Sequence, residues 1–200
     1  MVTESDQIVA ETAARIFADL ADPQTVNNAR DSGWKTPLWG AISEAGLSLA
    51  WVPDHLGGAG ASMAEGFAIV AAAGRCALPV PLAETLLAGW LLSQAGLESR
   101  TGAMTVAPVR PCDKITLNAD GTLSGRASGV PFASEAEHIV VLASGIAGLT
   151  IALVKTADCR VSEGANLAGD ASNRVTFERV KAIDSASQEA QVQMRIDVKG

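Results

Sequence analysis

Apolar residues recur at helical spacing in the first half of the chain and at strand spacing in the second half. The segment 3–20 has an apolar stripe that predicts an amphipathic helix, ended by Asp22-Pro23. The polar run 23–33 predicts a loop. A second helix is predicted to begin at Thr36-Pro37, with threonine as its cap and proline in its first turn, and to end at Gly46.

Two further helices are predicted, and both are too apolar to face water on all sides. The run Ser62-Met63-Ala64-Glu65 is a capping box that starts the third helix, and its apolar stretch covers 67–77. The fourth helix begins at Pro81 or Leu82 and stops before Gly96. Helices of this composition must pack on each other or on a neighbouring element.

After Gly102 the pattern changes to short runs of strand-forming residues that turn residues separate. Asp120-Gly121 is a strong hairpin signal between two of these runs. The predicted strands cover 105–106, 114–118, 122–125, 137–143, 149–154 and 174–180, and the tail 192–198 alternates like a half-buried strand. Helices followed by strands predict an α+β chain, with a bundle of about four helices in residues 1–100 and an antiparallel β domain in residues 101–200.

Composition and charge exclude several classes of partner. The chain carries 15 basic and 22 acidic residues, a net charge of −7, without the basic stripe of a nucleic-acid-binding surface. No apolar stretch reaches the roughly 20 residues of a membrane-spanning helix, and the first residues lack the basic start of a secretory signal. Three widely spaced cysteines and two histidines predict reduced thiols in a cytoplasmic protein and no metal site.

The motifs that could carry chemistry have plainer structural interpretations. Gly57-Gly58-Ala59-Gly60 precedes a helix, as a dinucleotide phosphate loop does, but Met63 replaces the third glycine and helix follows helix, so a tight turn is predicted. Neither histidine has a serine or cysteine at a spacing that would pair them. Glu65 and Glu84 lie in first turns of helices, where a carboxylate favours the helix dipole. The sequence therefore predicts no catalytic residue.

Turn and helix-ending residues follow a specific order between positions 39 and 81. They are Trp39, Gly46, Val52-Pro53, the glycine turn at 57–60, Gly74-Arg75 and Pro79-Val80-Pro81. In this order the segment resembles the N-terminal helical domain of acyl-CoA dehydrogenases, and residues 105–180 look like the family's middle β domain. The resemblance implies an oxidoreductase of lipid metabolism, a flavoprotein that uses FAD to oxidise an acyl-CoA thioester and that forms oligomers with itself or with a homologous subunit.

The resemblance also implies where FAD would bind. The family's two flavin motifs fall on 106–113 and on 129–131 of this chain. The candidate cofactor-binding residues are Val106, Pro108, Cys112, Val130 and Pro131. The hydroxyl side chains of both motifs are missing here, and the prolines within them have no amide donor.

Three hypotheses follow. The first is an FAD-dependent acyl-CoA dehydrogenase chain that is truncated or depends on a partner, because nothing after residue 180 matches the family's C-terminal helical domain, which supplies the catalytic base. The second is a non-catalytic subunit that pairs with a catalytic homologue. The third is a soluble α+β binding domain outside the family. Within the family, Pro79-Val80-Pro81 favours bulky or ring-bearing acyl thioesters.

Overall fold

Helices fill the first half of the chain and strands the second half in the computed structural model, which describes residues 4–29, 31–146 and 148–187. The helices are α1 (Glu4–Leu20), α2 (Pro23–Asn28), α3 (Lys35–Glu44), α4 (Met63–Arg75) and α5 (Leu82–Gln94). The strands are β1 (Met104–Ala107), β2 (Lys114–Leu117), β3 (Thr122–Pro131), β4 (His138–Gly145), β5 (Gly148–Lys155), β6 (Arg160–Ser162), β7 (Ser172–Lys181) and β8 (Asp184–Ser187). The predicted α+β class is confirmed, and the predicted strand at 192–198 lies outside the described residues.

Two helix starts differ from the prediction. The carboxylate of Asp22 accepts two main-chain amides of the following turn, so Pro23 begins a short helix where a loop was predicted. Helix α3 begins at Lys35 rather than after a Thr36 cap, and its N-cap residue, Trp34, makes no side-chain capping bond. None of the helices within the described ranges is long and apolar enough to cross a bilayer.

Helix α4 starts as predicted. The Glu65 amide donates to Ser62 Oγ at 3.1 Å, and the Ser62 amide donates to Glu65 Oε2 at 2.7 Å, which completes the capping box. One turn later the indole of Trp51 lies directly on Gly66, where an added Cβ would be only 1.8 Å from Trp51 Nε1. The same indole meets the Phe67 ring edge-on, with centroids 5.1 Å apart. This tryptophan therefore fixes the approach of α4 to the preceding loop.

The described strands form one sheet with the order β6-β7-β3-β2-β4-β5-β8, and β1 lies beside β4. The predicted hairpin of β2 and β3 is antiparallel and turns at Gly121, with a φ of 74°. Strands β1 and β2 both pair in parallel with β4, a difference from the predicted antiparallel domain. The chain reverses once at the β2–β3 turn and again between β3 and β4, which restores the original direction. Strands β6 and β8 escaped prediction because they are short and lack an apolar alternation.

Three apolar clusters stabilise the chain. One lies among the helices around Phe17, Ile42 and Ile69, and one lies within the sheet around Ile139 and Phe177. The third joins helix α5 to the sheet, and its buried members are Ala88, Leu92, Ala95, Leu97, Met104, Val140 and Leu153. Because this third cluster crosses residue 100, the two-domain division at that point stays a prediction.

Candidate functional site

Two segments that are distant in sequence meet where β1 and β3 end. The hydroxyl of Thr105 donates to the main-chain carbonyl of Pro131 at 2.6 Å, and the Ser128 amide donates to Asp113 Oδ2 at 2.8 Å. We name residues 106–113 together with 128–131 the β1–β3 junction. It contains all five positions that the resemblance assigns to the cofactor.

Those five positions offer different groups to a ligand. Val106 is partly buried and packs on the cluster that joins α5 to the sheet, whereas Cys112 is exposed. Pro108 follows a cis peptide bond and is partly buried. Val130 is fully buried in the sheet core, so its side chain points away from any surface ligand. Pro131 has no amide proton, and its carbonyl already accepts the hydroxyl of Thr105.

The junction also contains the guanidinium of Arg110, a charged group that the sequence-based prediction did not include. A Cβ built on Gly129 would lie 3.4 Å from both Nε and Nη2 of Arg110, so the guanidinium rests against this glycine. Gly129 has a φ of 75°, a backbone conformation that side-chain-bearing residues rarely adopt. Arg110 brings a fixed positive charge and a fork of N–H donors, which suit an anionic or carbonyl-rich ligand.

A cleft of about 650 Å³ opens between the helices and the β half, next to the junction. We name it the helical cleft. Its walls are mostly apolar and include Val70, Leu78, Val80 and Leu82, and it also contains Phe132, the neighbour of Pro131 in the chain. A concave, largely apolar site of this volume is typical of small-molecule binding.

Two carboxylic acids line the helical cleft. Burial raises the pKa of Glu84 above its ordinary value, and the negative charge of Asp170, from the loop before β7, raises it further. Glu84 keeps the first-turn position in α5 that the sequence predicted. Its partial burial beside a second acid could not be foreseen, because Asp170 comes from the other half of the chain.

The glycine turn is not an anion site. The main-chain amides of Gly57, Gly58, Ala59, Gly60 and Ala61 donate to carbonyls of residues 49–54, at distances between 2.8 and 3.2 Å. A Cβ on Gly58 would lie 2.1 Å from the Val52 carbonyl oxygen, so the turn needs glycine for close packing. With its amides bonded internally, the turn has no cradle for a phosphate, as the sequence analysis predicted.

His138 and Cys159 both line a second cavity, where burial governs their chemistry. This cavity is open and has a volume of about 680 Å³, and burial lowers the pKa of His138. Burial also raises the pKa of the Cys159 thiol to about 12, which leaves it unreactive as a thiolate. In the part of the chain that the structure describes, no group of three or more His, Cys, Asp or Glu side chains could hold a metal ion.

Comparison with known proteins identifies the family. Residues 3–101 match the family model described as acyl-CoA dehydrogenase, N-terminal domain. A curated relative, acyl-CoA dehydrogenase IpdE2 of Mycobacterium tuberculosis, is 30% identical over 125 residues, which make up 61% of this chain and 39% of that protein. The chain belongs to the acyl-CoA dehydrogenase family. The matched residues span less than half the length of this curated acyl-CoA dehydrogenase.

Several solved structures share the fold over most of the chain. The ChsE4-ChsE5 complex from Mycobacterium tuberculosis is 19% identical with a TM-score of 0.78, covering 97% of this chain and 60% of that chain. A variant of the Tcur3481-Tcur3483 steroid ACAD is 25% identical with a TM-score of 0.75, covering 99% and 61%. An acyl-CoA dehydrogenase complexed with FAD from Bacillus anthracis is 16% identical with a TM-score of 0.62, covering 94% and 37%.

Proposed function

We propose that this chain is part of an FAD-dependent acyl-CoA dehydrogenase. The enzyme would introduce a double bond between Cα and Cβ of an acyl-CoA thioester. The observation that carries the proposal is the β1–β3 junction, because the two segments assigned to the flavin lie far apart in sequence and are hydrogen-bonded to each other. FAD bound there would supply the acceptor for the hydride that leaves the substrate. The chain would act in lipid metabolism in the cytoplasm.

The junction fits a flavin through main-chain groups and Arg110 rather than through side-chain hydroxyls. Val130 is buried in the core and Pro131 has no amide proton, so neither residue offers a side-chain donor to the ring. The guanidinium of Arg110 can donate to carbonyl or phosphate oxygens beside Gly129, where the absence of a side chain leaves room. Cys112 is exposed in the same turn. We propose that Arg110, Cys112, Gly129 and Pro131, together with Val106 and Pro108, form the face on which FAD rests, with Val130 packed behind it in the core.

The helical cleft is the proposed acyl site. Its apolar walls would bind the hydrocarbon part of the thioester and exclude water from the reacting carbons. Burial raises the pKa of Glu84, and in its protonated form this side chain can donate a hydrogen bond to a polar atom of the acyl group. Pro79 and Val80 line this cleft, so we extend to it the preference for a bulky or ring-bearing acyl group that the resemblance implies. We assign removal of the α-proton to a carboxylate outside the described residues, because the resemblance implies that the base comes from the family's C-terminal helical domain.

The direct test is flavin and turnover in the purified protein. We expect the full chain, co-expressed with a homologous acyl-CoA dehydrogenase subunit, to carry FAD absorbance and to reduce an artificial electron acceptor when ring-bearing acyl-CoA thioesters are added. Replacing Arg110 by glutamine should weaken FAD binding, whereas Arg126→Gln, an equal charge change at an exposed position of β3, should not. Absence of both flavin and acyl-CoA binding in the wild-type preparation would refute the proposal.

The second candidate function is a non-catalytic subunit that pairs with a catalytic homologue. The chemistry of Pro131 favours it, because this position has neither an amide proton nor a side-chain donor to offer a flavin. The structurally similar ChsE4-ChsE5 complex is a heteromeric assembly, which supports a heteromeric assembly for this chain as well. Light scattering of the co-expressed pair, with flavin quantified per chain, separates the two candidates. A complex whose flavin disappears on Arg110→Gln supports the catalytic role, and one whose flavin is unaffected supports the scaffold role.

A further inference from the structure

A single threonine hydroxyl connects helix α5 to strand β1. Thr85 is fully buried, and its Oγ1 accepts the main-chain amide of Met104 at 2.9 Å. The same oxygen lies 3.0 Å from the Met104 carbonyl oxygen and 2.6 Å from that of Pro81. A hydroxyl has one proton and two acceptor lone pairs, so Thr85 accepts from Met104 and donates to one of these carbonyls at a time. The Thr85 side chain thus forms the hydrogen bond to the Met104 main chain that a neighbouring strand provides elsewhere in the sheet.

Water cannot replace these bonds, because Met104 is itself fully buried. Strand β1 has only four residues and, among the described strands, pairs only with β4. The contact with Thr85 is therefore a large part of what holds its first residue. An amide left without an acceptor in such surroundings carries the full cost of its desolvation. Loss of the Thr85 hydroxyl should therefore shift or loosen the start of β1.

The residue after Met104 connects β1 to β3. Thr105 is fully buried, and its hydroxyl donates to the Pro131 carbonyl at 2.6 Å. Helix α5, strand β1 and the end of β3 are thus joined in series by two buried threonine hydroxyls. The same turn of α5 contributes Glu84 to the helical cleft, so the series runs from the proposed acyl site to the proposed cofactor face.

We propose that Thr85 is a positioning residue, whose hydroxyl holds β1 where the main chain of the β1–β3 junction can meet FAD. The expected effect on FAD binding rests on the proposed function, whereas the expected effect on β1 does not. Thr85 touches no part of the junction itself. It acts through Met104 and Thr105.

The test compares three variants of the full chain, prepared with its homologous subunit. Thr85→Val keeps the shape and removes the hydroxyl, Thr85→Ser keeps the hydroxyl, and Thr150→Val removes a buried hydroxyl from β5 as the matched control. Hydrogen exchange of the Met104 amide reports on β1, and titration with FAD reports on the junction. We expect Thr85→Val to speed exchange at Met104 about tenfold and to weaken FAD binding by a similar factor. Thr85→Ser should restore both, and Thr150→Val should change neither.

Each outcome decides something definite. Unchanged Met104 exchange in Thr85→Val overturns the inference, as does an FAD defect that Thr85→Ser shares, since a general packing loss would then be the cause. If the wild-type protein binds no FAD, the proposed function fails, whereas faster exchange confined to Thr85→Val still supports the hold on β1. The fold of Thr85→Val is checked by the exchange of amides in β7, which should remain at the wild-type rate.

Discussion

At the scale of single residues, surroundings rather than residue type decide which groups have unusual chemistry. Glu65 and Glu84 both lie in the first turn of a helix, yet Glu65 completes a capping box whereas Glu84 faces an apolar cleft with Asp170. Cys112 is exposed, whereas burial and, to a lesser extent, the charge of Asp158 raise the pKa of the Cys159 thiol. These differences give two tests that need no assumption about substrate.

We expect Glu84→Gln to change how stability depends on pH. Burial and Asp170 raise the pKa of Glu84 above 4.5, so the folded chain holds this proton more tightly than the unfolded chain. Wild-type stability should therefore fall as the pH rises from 4.5 through the raised pKa, and Glu84→Gln should remove that fall. Urea unfolding at a series of pH values measures it, with exposed Glu44→Gln as the control. Parallel profiles for wild type and Glu84→Gln would contradict the assignment.

The three cysteines should separate into two classes of reactivity. Cys76 and Cys112 are exposed, whereas burial raises the pKa of Cys159 to about 12. Brief alkylation with iodoacetamide near neutral pH, followed by peptide mass spectrometry, should label the first two in the native protein and Cys159 only after unfolding. Labelling of Cys159 at the rate of Cys112 would show that its strand end opens in solution.

At the scale of elements, local signals set where helices begin when a side chain can reach the free amides. Ser62 does so at α4, and Asp22 does so at α2, where proline then takes the first helical position. Thr36 has the right residue type but lies inside α3, so its hydroxyl caps nothing. Ser62 and Thr36 are both exposed, but the hydroxyl of Ser62 caps a helix and that of Thr36 does not. Comparing the two therefore isolates the effect of the cap.

We expect Ser62→Ala to lower the free energy of unfolding by about 1 kcal/mol, the usual loss for an N-cap hydroxyl. Thr36→Ala should change it by no more than about 0.5 kcal/mol, as for other surface substitutions. Chemical denaturation of both variants at one pH provides the comparison. Equal losses for the two would mean that the capping box contributes nothing specific to α4.

At the scale of the whole molecule, apolar burial joins the two halves more strongly than charge does. Lys35 and Glu135 form an ion pair of 2.6 Å between α3 and the segment before β4, but both side chains remain partly exposed. Such a pair contributes about 1 kcal/mol at most. The cluster of Leu92, Met104 and Val140 is fully buried and should contribute several times more.

We expect Leu92→Ala to destabilise both halves together by about 2–5 kcal/mol, because it opens a cavity in the shared cluster. Leu87→Ala, on an exposed position of the same helix, should cost far less. All four tryptophans lie in the helical half, so their fluorescence follows the helices, while circular dichroism follows both halves. Coincident transitions are expected, and a separate loss of fluorescence would instead support two independently folding domains.

The sequence by itself determined the order of helices and strands, the capping box at Ser62, the hairpin at Gly121 and the family resemblance. Each depends on residues close together in the chain, where periodicity and turn chemistry act directly. It predicted the five cofactor positions, but not that Val130 would face the core or that Arg110 would lie against Gly129. Only the tertiary structure decided these, along with the parallel β1–β4 pairing, the burial of Glu84 beside Asp170 and the bond from Thr85 to Met104. All of them depend on contacts between residues far apart in sequence, and no local pattern encodes such contacts.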